Sequence, residues 1–266
     1  MLISQKNNLL NVLSAEVQLR LVRDLKLVTL SKGMILCESG DTMPNVYFPI
    51  DSIISLQNAT EDGASTEISA VGFEGMVGIA VFMGGGSDSS RAVVESAGAA
   101  YCLSSKKFKE EFNRHGEMML LMLRYAQSLM TQISQNAICN RHHSVQQQVS
   151  RWLLRSLDRL PDNHLVMTQE LIANMLGVRR EGVTNAAGEL QKRGVIEYGR
   201  GHITVLDRFK LEKASCECYS VVKKEMERLL PCNEYVSPPI PVRINTVARP
   251  GTIATKRHAA PSLAYA

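Results

Sequence analysis

From Lys106 to Ala137 the chain runs without a proline, and its apolar residues fall at helical spacing. One series stands out: Met119, Leu123, Ala126, Met130, Ile133 and Ala137, separated by alternating steps of four and three. That is the 3.5-residue repeat of a two-stranded coiled-coil seam, narrower than the face a helix buries on its own core. The spacing predicts a long helix over 116–138 that holds a homodimer. It also divides the chain into two parts of different texture.

The part before it, 1–115, opens with a helical stretch over 7–23, in which Leu9, Leu10, Leu13, Val17 and Leu21 share one face. Short apolar runs follow, punctuated by Gly, Asp, Asn and Pro. The runs 26–30, 33–37, 46–50, 53–57, 66–71, 76–81, 91–95 and 99–103 read as strands. Eight short strands at regular spacing predict a jelly-roll-like β-roll. Gly84-Gly85-Gly86-Ser87 lacks the Gly-Lys-Ser/Thr ending of a phosphate loop and reads as a hairpin.

The part after it is more basic. Residues 1–140 carry 11 Lys and Arg against 14 Asp and Glu, whereas 141–232 carry 15 against 11. A basic back half on a slightly acidic front half points to a polyanionic partner. Residues 145–160 form a further helix with Val149, Trp152, Leu153 and Leu157 on one side. Beyond 232 apolar clusters stop, and six of the nine prolines fall at 231 or later. Residues 233–266 are expected to be a disordered basic tail.

Between 168 and 206 lies the densest information. Thr168 can N-cap a short helix over 169–176, and Gly177 suits a turn that needs positive φ. A second helix starts at Arg179, keeps Val183, Ala186, Ala187 and Leu190 at core spacing, and ends at Gly194. Strands over 195–198 and 202–206 flank Gly199-Arg200-Gly201. Two helices across a glycine turn followed by such a hairpin make a winged helix-turn-helix. The second helix of this motif enters the DNA major groove with its first residues on base edges. Here these are Arg179, Arg180, Glu181, Thr184 and Asn185. Arginine pairs with guanine, glutamate accepts from cytosine, and asparagine pairs with adenine. Thr168, Gln169 and Arg200 are placed to bond phosphates.

The run Gln169-Glu170-Leu171-Ile172-Ala173, then Leu176-Gly177-Val178-Arg179-Arg180-Glu181-Gly182-Val183-Thr184 and the wing, resembles the Crp/Fnr family of bacterial transcription regulators. The order of parts agrees over about residues 10–230. The resemblance implies an α+β chain: a cyclic-nucleotide-binding-like β-roll sensor over 1–115, a dimerisation helix over 116–138, and a winged helix-turn-helix over 139–232. It implies a cytoplasmic homodimer on a palindromic operator in double-stranded DNA, with RNA polymerase as a further partner if the protein activates. The catabolite activator of that family has arginine where this chain has Asn185, so its operator does not carry over.

Nucleotide-binding members of the family place a Gly-Glu-Leu-Gly glutamate on the ribose and an Arg-Ser/Thr pair on the cyclic phosphate. The matching positions here are Gly75-Met76-Val77-Gly78 and Arg91-Ala92. Met76 cannot accept the ribose hydroxyl, and Ala92 has no hydroxyl to offer. Near the base-contacting positions of the long helix, only Ser134 is polar. Gly75, Met76, Gly78, Arg91 and Ser134 are thus the effector-pocket candidates, and they argue against cyclic nucleotide as the effector. The oxygen-sensing members hold an iron–sulfur centre on an N-terminal cysteine cluster. Here Cys37 is the first cysteine and stands alone, so that cofactor is not expected.

The remaining features exclude more than they add. Cys37, Cys102, Cys139, Cys216, Cys218 and Cys232 form no CxxC pair and no zinc-type spacing, as in reduced cytosolic proteins. His142 and His143 are adjacent and diverge on a helix, and Cys216 and Cys218 do the same if helical. No metal set is therefore expected. There is no GxSxG, HExxH or paired-carboxylate motif, so no enzyme is expected. Neither a secretory signal nor a membrane-length apolar run is present. The expected function is sequence-specific transcription regulation, with a small-molecule effector in the roll. The rival readings are a constitutive DNA binder, and a small-molecule-binding signalling protein whose helix-turn-helix serves protein contacts.

Overall fold

The computed structural model describes residues 6–61, 63–160 and 163–230. The tail expected over 233–266 lies outside the described residues. The chain starts with two short helices, α1 (Asn8–Asn11) and α2 (Ala15–Val22), where the periodicity predicts one. The break comes from two caps: Asn7 Oδ1 accepts from the amides of Leu9 and Leu10, and the Ser14 hydroxyl accepts from that of Val17. Leu9, Leu10, Leu13, Val17 and Leu21 are all buried, as their spacing requires.

Strands β1 (Lys26–Leu30), β2 (Ile35–Cys37), β3 (Asn45–Pro49), β4 (Ile53–Ala59) and β5 (Ser65–Val71) precede a short helix, α3 (Ala80–Met83). Strands β6 (Arg91–Ser96) and β7 (Gly98–Ser104) and helix α4 (Ser105–Phe112) complete the unit. Two antiparallel sheets, β1-β7-β3 and β2-β6-β4-β5, share one core that includes Leu30, Val46, Phe48, Ile54, Val94 and Leu103. This is the expected β-roll with one strand fewer. Residues 76–81 contribute only a bridge, Tyr47 to Val77, before α3 begins. Gly78 has φ of +113°, which ends an extended path, and a Cβ there would meet Met43 Sδ and Val46 Cγ1 at 2.9 Å.

Helix α5 (Glu117–His142) then runs 26 residues, four past the expected end at 138. Nothing in the sequence stops it until Ser144, which caps α6 (Val145–Leu157) with a full capping box to Gln147. Along α5, Met118, Leu121, Met122, Tyr125 and Leu129 are buried within the chain. Of the expected seam, Leu123, Met130 and Ala137 are exposed, Met119 and Ile133 are half-buried, and Ala126 is already buried. Leu120 and Ile138 add to the exposed apolar surface of this helix.

The second core gathers α6, β8 (His164–Val166), α7 (Gln169–Leu176), α8 (Arg180–Lys192), β9 (Ile196–Gly199), β10 (His202–Val205) and α9 (Arg208–Ala214). The sheet order is β8-β10-β9. Strand β8 escapes the sequence pattern because it is three residues long with only Leu165 buried. Helix α10 (Cys218–Leu229) closes the described chain and packs along α5. No helix of the described residues is long and apolar enough to cross a membrane.

The two cores meet through a polar layer. Strand β4 is buried on both sides: Ile54 and Leu56 enter the roll core, while Ser55 Oγ meets Met175 Sδ of α7 at 3.5 Å. Gln132 of α5 bonds Ser69, and Asn136 donates to the Ile68 carbonyl at 2.7 Å. Buried beside them is Glu95, whose carboxyl is pushed up to about 8 by burial and by the neighbouring Glu67. A carboxyl with a raised value favours the folded state most below its ordinary range of about 4.5, and that contribution is lost as pH rises towards 8. Glu95→Gln should therefore flatten the decline in melting temperature between pH 5 and about 8. Parallel pH slopes for the variant and the parent would show that Glu95 is ionised throughout.

Candidate nucleic-acid interface

The geometry of the helix-turn-helix follows from its caps and its one glycine turn. The Thr168 hydroxyl accepts from the Leu171 amide at 3.2 Å and starts α7. Gly177 ends it at φ 65°, ψ 35°, and the Val178 amide returns to the Ala173 carbonyl at 3.0 Å. Arg179 then adopts extended backbone and α8 begins at Arg180. Val183, Ala186, Ala187 and Leu190 are buried, which fixes the rotation of α8 about its axis.

That rotation leaves Arg179, Arg180, Glu181, Thr184 and Asn185 exposed together at the helix start. The Thr184 hydroxyl donates to Gln169 Oε1 at 2.6 Å and ties the first turns of α7 and α8 together. Arg180 Nε stands 3.7 Å from Glu170 Oε2, with both side chains mostly exposed. At that distance and exposure the pair is weak, so the guanidinium can turn to another acceptor at little cost. The amide-rich start of α8 adds partial positive charge to the same end. On the wing, Arg200 (φ 51°) and Gly201 (φ 80°) form the two-residue turn between β9 and β10. Thr168 and Arg200 are exposed and Gln169 is half-buried. The expected base-facing residues thus lie on one face of α8. The three phosphate candidates sit at the start of α7 and the tip of the wing.

The five effector-pocket positions do not converge within the chain. Met76 is fully buried, and its carbonyl accepts from the Tyr125 hydroxyl at 2.7 Å. Gly75 lies against the same ring, where a Cβ would meet the Tyr125 oxygen at 2.6 Å. Arg91 is half-buried and ion-paired with Glu38 at 3.0 Å. Ser134 is exposed on α5. Of the five, Gly78 lines a cavity in the roll, together with Ala92, Asp88 and Ser90, and that cavity measures about 10 Å³. It has room for about one water, against the several hundred Å³ of a small-molecule site.

The expectation that no side chains gather as metal ligands fails on geometry. Cys139, His143, Cys216 and Cys218 place one ligand atom each within 4.8 Å of one another. Cys139 lies in the last turn of α5 and His143 is the C-cap four residues on, its amide bonded to the Cys139 carbonyl at 3.1 Å, a signal that weighing His142 against His143 overlooks. The other half could not be read from spacing, because it depends on α10 folding back onto α5. Within the group the Cys139–Cys216 hydrogen bond lowers the Cys216 thiol and raises Cys139, which burial raises further. Cys37 lies elsewhere, in the roll core.

Residues 27–115 match the cyclic nucleotide-binding domain family, and residues 147–214 match the Crp-like helix-turn-helix domain family. No curated protein matches the chain. Among solved structures, FixK2 from Bradyrhizobium japonicum is similar at 14% identity and TM-score 0.63, over 72% of this chain and 98% of that one. A putative transcriptional regulator of the crp/fnr family from Eubacterium rectale is similar at 19% identity and TM-score 0.58, over 77% and 96%. The c-di-GMP-responsive global regulator CLP of Xanthomonas campestris is similar at 15% identity and TM-score 0.56, over 72% and 99%. At these identities the likeness is one of fold.

Proposed function

Because this chain belongs to the Crp/Fnr family of transcription regulators, we propose that it is a homodimer that reads a palindromic DNA operator through α8. One observation carries this reading: burial of the Val183, Ala186, Ala187 and Leu190 face of α8 leaves Arg179, Arg180, Glu181, Thr184 and Asn185 exposed to solvent together, at the positive end of the helix. In this reading Arg180, Glu181 and Asn185 pair with bases, Arg179 and Thr184 complete the contact, and Thr168, Gln169 and Arg200 hold phosphates. The second copy is held along α5, where Leu123, Met130 and Ala137 are uncovered in the monomer. A two-fold dimer spaces the two α8 helices about one DNA turn apart.

A second reading concerns control. The roll keeps its fold, but the cavity beside Gly78 and Ala92 measures about 10 Å³, and the buried Met76 stands where the resemblance puts the ribose-binding residue. This favours DNA binding that needs no cyclic nucleotide. Selection from a random duplex pool with ligand-free protein tests both points. Enrichment of a palindrome supports the regulator and effector-free binding together. Enrichment only after cyclic nucleotide is added would reject the closed-roll reading, and none under either condition would reject the regulator.

On the selected site, Arg180→Ala should cost about 1–3 kcal/mol and relax preference at one base pair of each half-site. Competition binding against single-base variants of the site measures this. Equal weakening on every sequence would make Arg180 a phosphate contact.

A further inference from the structure

We propose that Cys139, His143, Cys216 and Cys218 bind a single zinc ion in a closed tetrahedral site that clamps α10 to the end of α5. The four side chains come from two separate segments. Cys139 and His143 lie one turn apart at the end of α5, and Cys216 and Cys218 flank the start of α10. Cys139, Cys216 and Cys218 are buried, and His143 is partly covered.

The distances suit one ion. A tetrahedron with bonds of about 2.3 Å to sulfur and about 2.0 Å to nitrogen has edges of roughly 3.5–3.8 Å. Cys139 Sγ stands 3.5 Å from Cys216 Sγ, and Cys218 Sγ stands 3.6 Å from His143 Nδ1. A cluster with several metal and sulfide atoms would hold its ligands much further apart than the 4.8 Å that spans this whole set. Three thiols and one imidazole are also a donor set that zinc favours in sites without catalysis.

The surroundings agree. His143 directs Nδ1 at the thiols while its Nε2 lies 3.2 Å from Glu217 Oε1. A carboxylate on the outer nitrogen is the usual partner of a metal-bound histidine, fixing its tautomer and its ring. Binding releases the remaining thiol protons to solvent and leaves a site of net charge −1, since three thiolates outweigh the ion by one. The buried Arg151 of α6 supplies a positive neighbour to Cys139 and Cys218.

The position gives the site its consequence. His143 is the C-cap of α5 and Ser144 is the N-cap of α6, so the ion sits at the joint between the long helix and the winged helix. With zinc bound, α5, the joint and α10 move as one body. Without it, α10 keeps its side-chain packing on α5 and the Tyr219 hydroxyl bond to Asp158 at 2.9 Å.

The test uses the full chain, expressed with added zinc and purified under reducing conditions. Elemental analysis should find about one zinc per chain. Cobalt(II) offered to the chelator-stripped protein should give the intense visible bands of tetrahedral cobalt and a thiolate charge-transfer band. Cys218→Ser and the milder His143→Gln should each lower metal retention at least about tenfold, while Cys102→Ser, outside the set, should leave it unchanged. If Cys218→Ser does not fold, the cobalt spectrum of the parent and the His143→Gln protein still decide. Metal-free protein that takes up no cobalt would overturn the proposal. So would iron with acid-labile sulfide, or a Cys139–Cys216 disulfide in the reduced preparation.

Discussion

In the proposed homodimer, Met130→Glu should turn dimer into monomer at micromolar concentration. Met130 is the most exposed large apolar side chain of α5, at 63%, and it lies seven residues from Leu123 and from Ala137 on the same line. In a two-fold seam each copy would face the other's carboxylate, and both charges would lose water without gaining a partner. An uncompensated buried charge costs about 3–5 kcal/mol, or roughly a hundred- to several-thousand-fold in the dimer dissociation constant. Because Met130 touches little within its own chain, the monomer should melt within a few degrees of its ordinary temperature. Sedimentation equilibrium reads the first effect and calorimetry the second. A Met130→Glu protein that stays an unchanged dimer would move the interface off this seam.

Arg159→Ala should be the most destabilising single change between the two cores. Arg159 follows α6 and is buried, yet it reaches the roll: Nε donates to Glu74 Oε1 at 2.6 Å and Nη2 donates to the Ala70 carbonyl at 3.0 Å. Its Nη1 donates to the Arg155 carbonyl at 3.1 Å. Glu74 Oε2 has no hydrogen-bond partner and Oε1 accepts otherwise from the Gly72 amide at 3.2 Å, so removing the guanidinium would leave the half-buried carboxylate without its ion-pair partner. Breaking one side of a buried pair costs about 3–5 kcal/mol. In a chain of this size that lowers the melting temperature by roughly 6–20 °C. Arg159→Lys keeps the charge but not the planar fork, and should fall between. Thermal unfolding of the three proteins at neutral pH checks the order. A loss below about 1 kcal/mol for the alanine variant would mean the pair is as weak as one on the surface.

The helix-turn-helix was the most legible part. Thr168, Gly177 and the apolar spacing from Val183 to Leu190 each act within a few residues, and each appears at its expected place. Six of the eight expected strands were similarly local, read from alternation and turn residues, and 33–37 survives as the shorter β2. The misread run, 76–81, pairs only at the single Tyr47–Val77 bridge, because Gly78 at positive φ ends the extended path and α3 begins at Ala80. Strand β8 was missed because three residues carry too little pattern.

Local chemistry therefore reaches as far as caps, turns, periodicities and the choice of residues at the start of α8, because these depend on neighbours at most a few positions away. What lies between distant segments does not follow from it. Whether the roll has room for a ligand depends on how Met43, Val46 and Met76 fill it once the sheets close. The coupling of the roll to the winged helix depends on Arg159 meeting Glu74 across 85 positions. Cys139 and Cys216 stand 77 positions apart, and no spacing rule joins them. They come within 3.5 Å because α10 buries its apolar face against α5, and that packing is decided by the whole chain.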